Sequence, residues 1–500
     1  MSKITAVLAP GKRLAALMNQ SLFTNAGYLL GVNMLNAAAG FVFWSLASRL
    51  YTPGEVGTAS AVISAIGIVS GIAGLGVSIG LVRVLPESQT PTRLLNTALT
   101  FNTGTAVLSS IVFLVGLPLW SPSLIPLQET VLYAFGFVIY TVIMTLGIIL
   151  QAVPIARRQS LYAFIHTCVA SIGRLVLLIP LMSLGVLGMV SSTLLALLVT
   201  IVIDLAIILP KVENGYRLRA EFSWQDLSSI IPYSAGSYIE LLLTQTPQMV
   251  LPLIALETFG TASSGYTYIA WMLGTLLISP GMAVATSAFA EGSNSPHSLE
   301  SALSQATRLS LILTLPAAAI VGFAATWILL LFGPSYAQGA SGLLRWLAAT
   351  APVVVLVRIY FTRIRVQKRI GWSIVLNSIV ATTTVVAAVI LMPSFGLSGI
   401  GIGWLTGNCL VAATAIIDIR KEHQKEKGKP MPTTNKTRPK DQAPQTMAAI
   451  PCYNEENFVA DIVRQVAQYV DQVIVVDDGS TDRTTEVAEA AGATVIRHKT

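Results

Sequence analysis

The run Val186-Leu-Gly-Met-Val-Ser-Ser-Thr-Leu-Leu-Ala-Leu-Leu-Val-Thr-Ile-Val-Ile203 decides how this chain folds, because it carries no charge and is apolar over its whole length. An α-helix rises about 1.5 Å per residue, so roughly 20 such residues cross the ~30 Å hydrocarbon layer of a bilayer. Comparable runs begin near Asn25, Val56, Leu94, Val131, Leu161, Leu227, Gly260, Leu303, Gly342, Gly371 and Leu397, with Pro118, Pro232 and Pro316 as interruptions. With Val186 they make twelve, and the chain reads as an all-α polytopic membrane protein. Composition agrees. Of the 500 residues 53% are hydrophobic and only 11% charged, with a mean hydropathy of +0.69, which excludes an ordinary soluble protein carrying about 25% charge.

The net charge of +7 does not point to nucleic acid, because Lys and Arg fall in short loops and in one polar stretch. Arg83 with Arg93, Arg157 with Arg158, Lys211 with Arg217 and Arg219, Arg308, and Arg363 with Arg365, Lys368 and Arg369 all lie between an even span and the next odd one. The positive-inside rule then puts both termini in the cytoplasm, in a multi-pass protein of the cell membrane. Cys168, Cys409 and Cys452 have no metal or redox spacing, and no disulfide framework is expected. Lys12 and Arg13 precede the first span without a small-residue cleavage signal, so that span reads as retained.

An internal repeat divides the spans six and six. Gly57-Thr-Ala-Ser60 returns as Gly260-Thr-Ala-Ser263, an offset of 203; Leu119-Trp-Ser-Pro-Ser123 returns as Leu331-Phe-Gly-Pro-Ser335, an offset of 212; and Gly185-Val-Leu-Gly188 returns as Gly396-Leu-Ser-Gly399, an offset of 211. Six spans per repeat is even, so the halves share one topology and relate by an axis along the membrane normal, with a cavity between lobes of about residues 20–210 and 211–419. With Ala47-Ser-Arg-Leu-Tyr-Thr-Pro-Gly-Glu-Val-Gly57, Leu81-Val-Arg83 and Leu331-Phe-Gly-Pro-Ser-Tyr336, the membrane domain of residues 1–419 resembles the polysaccharide and O-antigen flippase branch of the multidrug/oligosaccharidyl-lipid/polysaccharide exporter superfamily. The resemblance implies alternating-access transport of lipid-linked oligosaccharide between leaflets.

Charges inside spans are costly and usually face a cavity. A polyprenyl pyrophosphate or an acidic sugar needs cations, and Arg suits bidentate phosphate contacts. Arg49, Arg83, Arg174, Arg345 and Arg358 are the candidates, with Arg174 the most interior, although arginines at span ends also snorkel to headgroups. Glu240 is the only acid deep in the seventh span, and Asn377 and Asn408 could add oxygen ligands for a hard cation. Related flippases and exporters couple to ions through an acid on the seventh helix, which makes Glu240 a candidate for sodium or proton coupling; pairing with an arginine is the plainer alternative. Asp204, beside Lys211 at the end of the sixth span, reads as interfacial.

From Arg420 to Thr446 the chain is rich in Lys, Pro, Thr and Gln, the composition of a solvated linker. Beyond it the period changes: a strand at Met447–Ile450, a helix at Glu456–Tyr469, a strand at Gln472–Val476, a helix at Asp482–Ala491 and a strand at Thr494–Arg497 predict a partial parallel α/β sheet with its ligand at the strands' carboxyl ends. Pro451-Cys-Tyr-Asn-Glu-Glu456 and Val475-Val-Asp-Asp-Gly-Ser-Thr-Asp482 fall at those ends. There Asp477 and Asp478 could accept hydrogen bonds from a nucleotide's ribose and base. The motif pair resembles family-two inverting glycosyltransferases, which implies that Pro451, Tyr453, Glu455 and Asp478 contact the nucleotide of a sugar donor. That family's D-x-D metal site and catalytic base lie further along than Thr500, so the expectation is an incomplete domain, without transfer activity and without the divalent metal a complete one would bind. The leading function is lipid-linked oligosaccharide translocation; the alternatives are a cation-coupled drug exporter or a membrane platform for a glycosyltransferase. The expected partners are membrane lipid, the polyprenyl-linked glycan and a nucleotide sugar.

Overall fold

The computed structural model describes residues 9–294, 299–427 and 446–498, and it divides into two compact units, Met1–Arg420 and Lys421–Thr500. Among the described residues the first is built of helices. Its helices are α1 (Ala9–Leu50), α2 (Pro53–Gly74), α3 (Pro91–Val115), α4 (Val131–Ala156), α5 (Ser160–Leu178), α6 (Val186–Ile203), α7 (Trp224–Phe259), α8 (Thr261–Asn294), α9 (Leu299–Leu330), α10 (Pro334–Val366), α11 (Ile370–Phe395) and α12 (Ser398–Lys427). Among the described residues twelve helices are long and apolar enough to cross a membrane. They form two lobes, α1–α6 and α7–α12. In hydrocarbon every backbone N–H and C=O must be bonded within the chain, and helices satisfy that requirement segment by segment.

Local signals set the helix ends. Thr52 and Glu55 form a capping box at α2, with the Thr52 N–H donating to Glu55 Oε2 at 2.8 Å and the Glu55 N–H to Thr52 Oγ1 at 3.3 Å. Gly185 and Gly396 precede α6 and α12 with φ of +56° and +57°, a conformation that favours glycine. Two equivalent positions of the repeat thus share one unusual backbone geometry. The Gly57 and Gly260 match does not hold in this way: Gly57 lies inside α2, whereas Gly260 caps the end of α7. Gly265 is the residue that faces Gly57, where a Cβ on Gly57 would sit 1.7 Å from the Thr261 carbonyl oxygen. There α2 and α8 meet backbone to backbone, and Ser60 and Ser264 share a hydrogen bond of 3.3 Å across the two lobes.

Other boundaries differ from the sequence reading. Helix α1 begins at Ala9 rather than near Asn25, and α12 continues past Arg420 to Lys427, into the stretch read as linker. The rest of that stretch, residues 428–445, lies outside the described residues. Pro154, Pro280, Pro316, Pro352 and Pro393 all lie inside helices, tolerated because neighbouring helices shield the freed carbonyls.

The second unit holds three parallel strands, β1 (Met447–Cys452), β2 (Gln472–Asp477) and β3 (Thr494–Arg497), with β2 central, and two short helices, α13 (Val459–Val466) and α14 (Thr484–Ala490). Val459, Val463, Val473, Val475 and Ala488 form its core.

Candidate functional site

Two adjoining chambers of about 340 and 180 Å³, the first between the lobes and the second among helices of the second lobe, share Gln248, Trp271, Thr275 and Ser279. Arg174 of α5 lines the first and Arg358 of α10 the second. The Arg174 guanidinium lies over the Phe43 ring at 5.3 Å, and its buried Nε has no hydrogen-bond partner. Arg358 lies over the Phe361 ring at 5.8 Å. Cation–π contact holds each guanidinium in place without using its N–H groups, which stay available to an anion. Rings complete the walls: Trp44 packs on Tyr268 with centroids 4.4 Å apart, and Trp271 packs edge-on against Trp404 at 5.0 Å. Such faces suit the apolar faces of sugar rings. Gln245, Gln248, Asn36 and Thr275 add neutral donors and acceptors.

The other three cations singled out in the sequence do not line these chambers. Arg49 Nε donates to the Leu331 carbonyl at 3.0 Å, tying the end of α1 to the end of α9. Arg345 donates to Thr326 Oγ1 at 3.1 Å, and Arg83 is exposed at the end of the short helix Val77–Val84. Glu240 is buried but already engaged: Arg365 donates to its Oε1 through Nε at 3.0 Å and through Nη2 at 2.6 Å, and the Ser373 hydroxyl donates at 2.9 Å. Arg365 stands two turns beyond Arg358 on α10; the sequence offered pairing with an arginine as the alternative for Glu240 but placed Arg365 itself among the loop cations. Asn377 accepts from Thr244 on the same α7–α11 seam and donates to the Ser373 carbonyl, while Asn408 donates to Trp404 O within its own helix. Asp204 is not interfacial: it is buried against His166. Among the described residues no group of three or more His, Cys, Asp or Glu could hold a metal ion.

The sequence profile of one family, described as polysaccharide biosynthesis protein, matches residues 46–340. The chain belongs to this polysaccharide biosynthesis protein family. Residues 448–500 match the profile described as glycosyl transferase family 2. Among solved structures, the fold is shared with a multidrug resistance MATE family transporter of the MOP superfamily in an inward-facing conformation, at 18% identity over 80% of this chain and 96% of that one, with a TM-score of 0.62. It is also shared with an outward-facing MATE family transporter at 18% identity, 80% and 95% coverage and a TM-score of 0.50, and with the lipid II flippase MurJ in an inward closed conformation at 15% identity, 77% and 87% coverage and a TM-score of 0.59. No curated protein sequence matches significantly. This family member is therefore a multi-pass membrane protein with the two-lobed fold of those transporters.

In the second unit the two motif loops bind each other. The Asn454 N–H donates to Ser480 Oγ at 2.9 Å, the Thr481 N–H to Asn454 Oδ1 at 2.8 Å, the Glu455 N–H to Thr484 Oγ1 at 2.7 Å and the Arg483 N–H to Glu456 Oε2 at 3.0 Å. Asp477 is fully buried and accepts from the Ser480 N–H at 2.8 Å and from the Thr485 hydroxyl, with Arg497 Nε at 3.6 Å. Burial pushes its carboxyl up, but these hydrogen bonds and Arg497 outweigh burial and leave it below the usual carboxylate range. Asp477 thus builds the loop. Pro451, Tyr453, Glu455 and Asp478 are exposed around the mouth of the two loops.

Proposed function

We propose that this protein translocates a lipid-linked oligosaccharide across the membrane for surface-glycan synthesis, with both termini in the cytoplasm. The observation that carries this reading is the chamber pair: one arginine from each lobe, Arg174 with a buried Nε that has no partner, set among four aromatic rings and several amides. Arg174 and Arg358 would hold pyrophosphate or acidic sugar oxygens, and the rings would take the glycan. Two cations in the cavity disfavour the alternative of a cationic-drug exporter. The basic loops support the cytoplasmic placement of the termini, and the exposed Tyr453, Glu455 and Asp478 support nucleotide-sugar contacts for the second unit.

Binding tests this directly. Purified protein should bind polyprenyl pyrophosphate more tightly than the uncharged polyprenol, and Arg174→Ala should weaken the former by about 10- to 100-fold, the loss expected for a charge-assisted bidentate contact. Equal affinity for the two lipids would refute the reading.

A further inference from the structure

We propose that the loops joining α2 to α3 and α6 to α7 form a seat for the phosphate of an anionic phospholipid, with its hydrocarbon against the outer side of the second loop. Four spans separate the two loops, so they lie on one side of the membrane, and together they enclose a polar cavity of about 460 Å³. Arg93 at the start of α3, and Arg217, Arg219 and Glu221 of the second loop, line it. Arg93 is already held by Asp226, to which it donates through Nε at 2.8 Å and through Nη2 at 3.1 Å. Arg217 and Arg219 are exposed and make no ion pair or side-chain hydrogen bond among the described residues. Three arginines against Asp226 and Glu221 leave the cavity with one positive charge. That suits the single negative charge of a phosphodiester better than the roughly −1.5 to −2 of a phosphate monoester, and Glu221 can accept from a hydroxyl of the same headgroup.

The second loop is pinned at both ends. The Tyr216 hydroxyl donates to Asn96 Oδ1 at 2.8 Å, Asn96 Nδ2 donates to the Arg217 carbonyl at 3.0 Å, and the Ser223 N–H donates to Thr97 Oγ1 at 3.1 Å. Asn96 and Thr97 of α3 are fully buried, so the arginines stand on a fixed backbone before any ligand arrives. Between the pins the residues alternate. Arg217, Arg219 and Glu221 line the cavity, whereas Leu218 and Phe222 do not and are 58% and 53% exposed, followed by Trp224, 64% exposed, at the start of α7. The Phe222 ring packs near Phe101, inside the third span, with centroids 6.4 Å apart, which puts that residue of the loop on the hydrocarbon side. Arginines at one level with apolar and tryptophan side chains beside them match the layering of headgroup and acyl chain at a membrane interface. A soluble anion would use the arginines alone; a phospholipid uses both sides of the loop. The positive-inside rule reads this side as the cytoplasmic leaflet, where anionic lipids concentrate.

The seat does not depend on the transport function proposed above. Native mass spectrometry of the whole chain in neutral detergent, titrated with dioleoylphosphatidylglycerol, dioleoylphosphatidylcholine or inorganic phosphate, tests it. The expected result is that phosphatidylglycerol binds in preference to phosphatidylcholine and that the Arg217→Gln, Arg219→Gln double variant, with an unchanged thermal-unfolding midpoint, binds phosphatidylglycerol about 10- to 30-fold more weakly. Arg158→Gln, which removes an exposed arginine of the α4–α5 loop on the same side of the membrane, should leave binding as it was. The Leu218→Ser, Phe222→Ser double variant should weaken phosphatidylglycerol while inorganic phosphate, added at the same concentration, displaces none of the lipid from the native protein. Equal binding of the two lipids overturns the seat, and so does a loss in Arg158→Gln as large as in the double arginine variant, which would make the preference one of diffuse charge. Inorganic phosphate that binds as tightly as phosphatidylglycerol, in native protein and in the Leu218→Ser, Phe222→Ser variant alike, would show a soluble-anion site and overturn the lipid assignment.

Discussion

Gly57→Ala is the substitution whose effect the geometry fixes most closely. Its Cβ would sit 1.7 Å from the Thr261 carbonyl oxygen and 2.5 Å from the Thr261 carbonyl carbon, both backbone atoms of α8 that no rotamer change can move. Real Cβ atoms almost never come within 3.0 Å of such a contact, so α2 and α8 must separate by about 1.3 Å at this point. Overpacking of this kind costs about 1–3 kcal/mol. The cost falls only on the conformation in which these helix ends touch. A penalty of about 1–3 kcal/mol borne by one state shifts the two-state ratio roughly 5- to 150-fold toward the other. Ser60 and Ser264, with hydroxyl oxygens 3.3 Å apart, supply the assay. In a protein whose three native cysteines are replaced by Ser, S60C with S264C should form a disulfide rapidly, and adding G57A should slow it by at least about fivefold without loss of folded protein. Unchanged cross-linking in the G57A protein would show that this contact does not hold the lobes together.

Three further outcomes follow. Arg358→Ala should lower transport strongly at unchanged expression while Arg358→Lys keeps part of it, because a point charge replaces the fork; transport assays in proteoliposomes decide. Glu240→Gln removes the carboxylate that accepts two N–H bonds from Arg365 and one from Ser373, and should destabilise the protein by about 1–3 kcal/mol, read as a fall in the thermal-unfolding midpoint in detergent. Asp477 has a folded carboxyl pKa held below its unfolded value, so its contribution to the second unit is complete above about pH 4 and is lost as pH falls through the lower, folded value. Protection of residues 446–498 against hydrogen exchange in the whole chain, corrected for the intrinsic exchange rate at each pH, should therefore fall at acid pH, and Asp477→Asn should produce the same loss of protection at neutral pH.

The spans were legible because a bilayer demands long apolar runs, and ten helix starts fall within a few residues of the expected positions; α1 begins at Ala9, well ahead of Asn25, and α10 at Pro334, ahead of the run at Gly342. The glycine pair at 185 and 396 was legible too, since a fixed backbone conformation leaves a fixed residue type. The match of Gly57 to Gly260 failed because a short string of small residues recurs by chance at a different register. Arg174 and Arg358 were recoverable from the cost of burying charge. Gln245 and Gln248 carried the same signal in weaker form, as amides inside a span, and were passed over. Arg365 and His166 were not recoverable, because each matters through a partner more than thirty positions away in sequence, Glu240 and Asp204. In the second unit both Asp477 and Asp478 read as ligand contacts; only the fold shows that one turns inward to brace its loop.

The central claim is that the two-arginine chamber carries a glycan-bearing pyrophosphate lipid between leaflets. Proteoliposomes containing the purified protein and a fluorescent polyprenyl-pyrophosphate oligosaccharide, with a membrane-impermeant quencher added outside, measure that movement directly. The account predicts that the native protein moves the lipid well above the protein-free rate and that the Arg174→Ala, Arg358→Ala double variant, folded and equally reconstituted, returns it to that rate. A double variant that moves the lipid as fast as the native protein, or a native protein that leaves it where it started, would contradict the account.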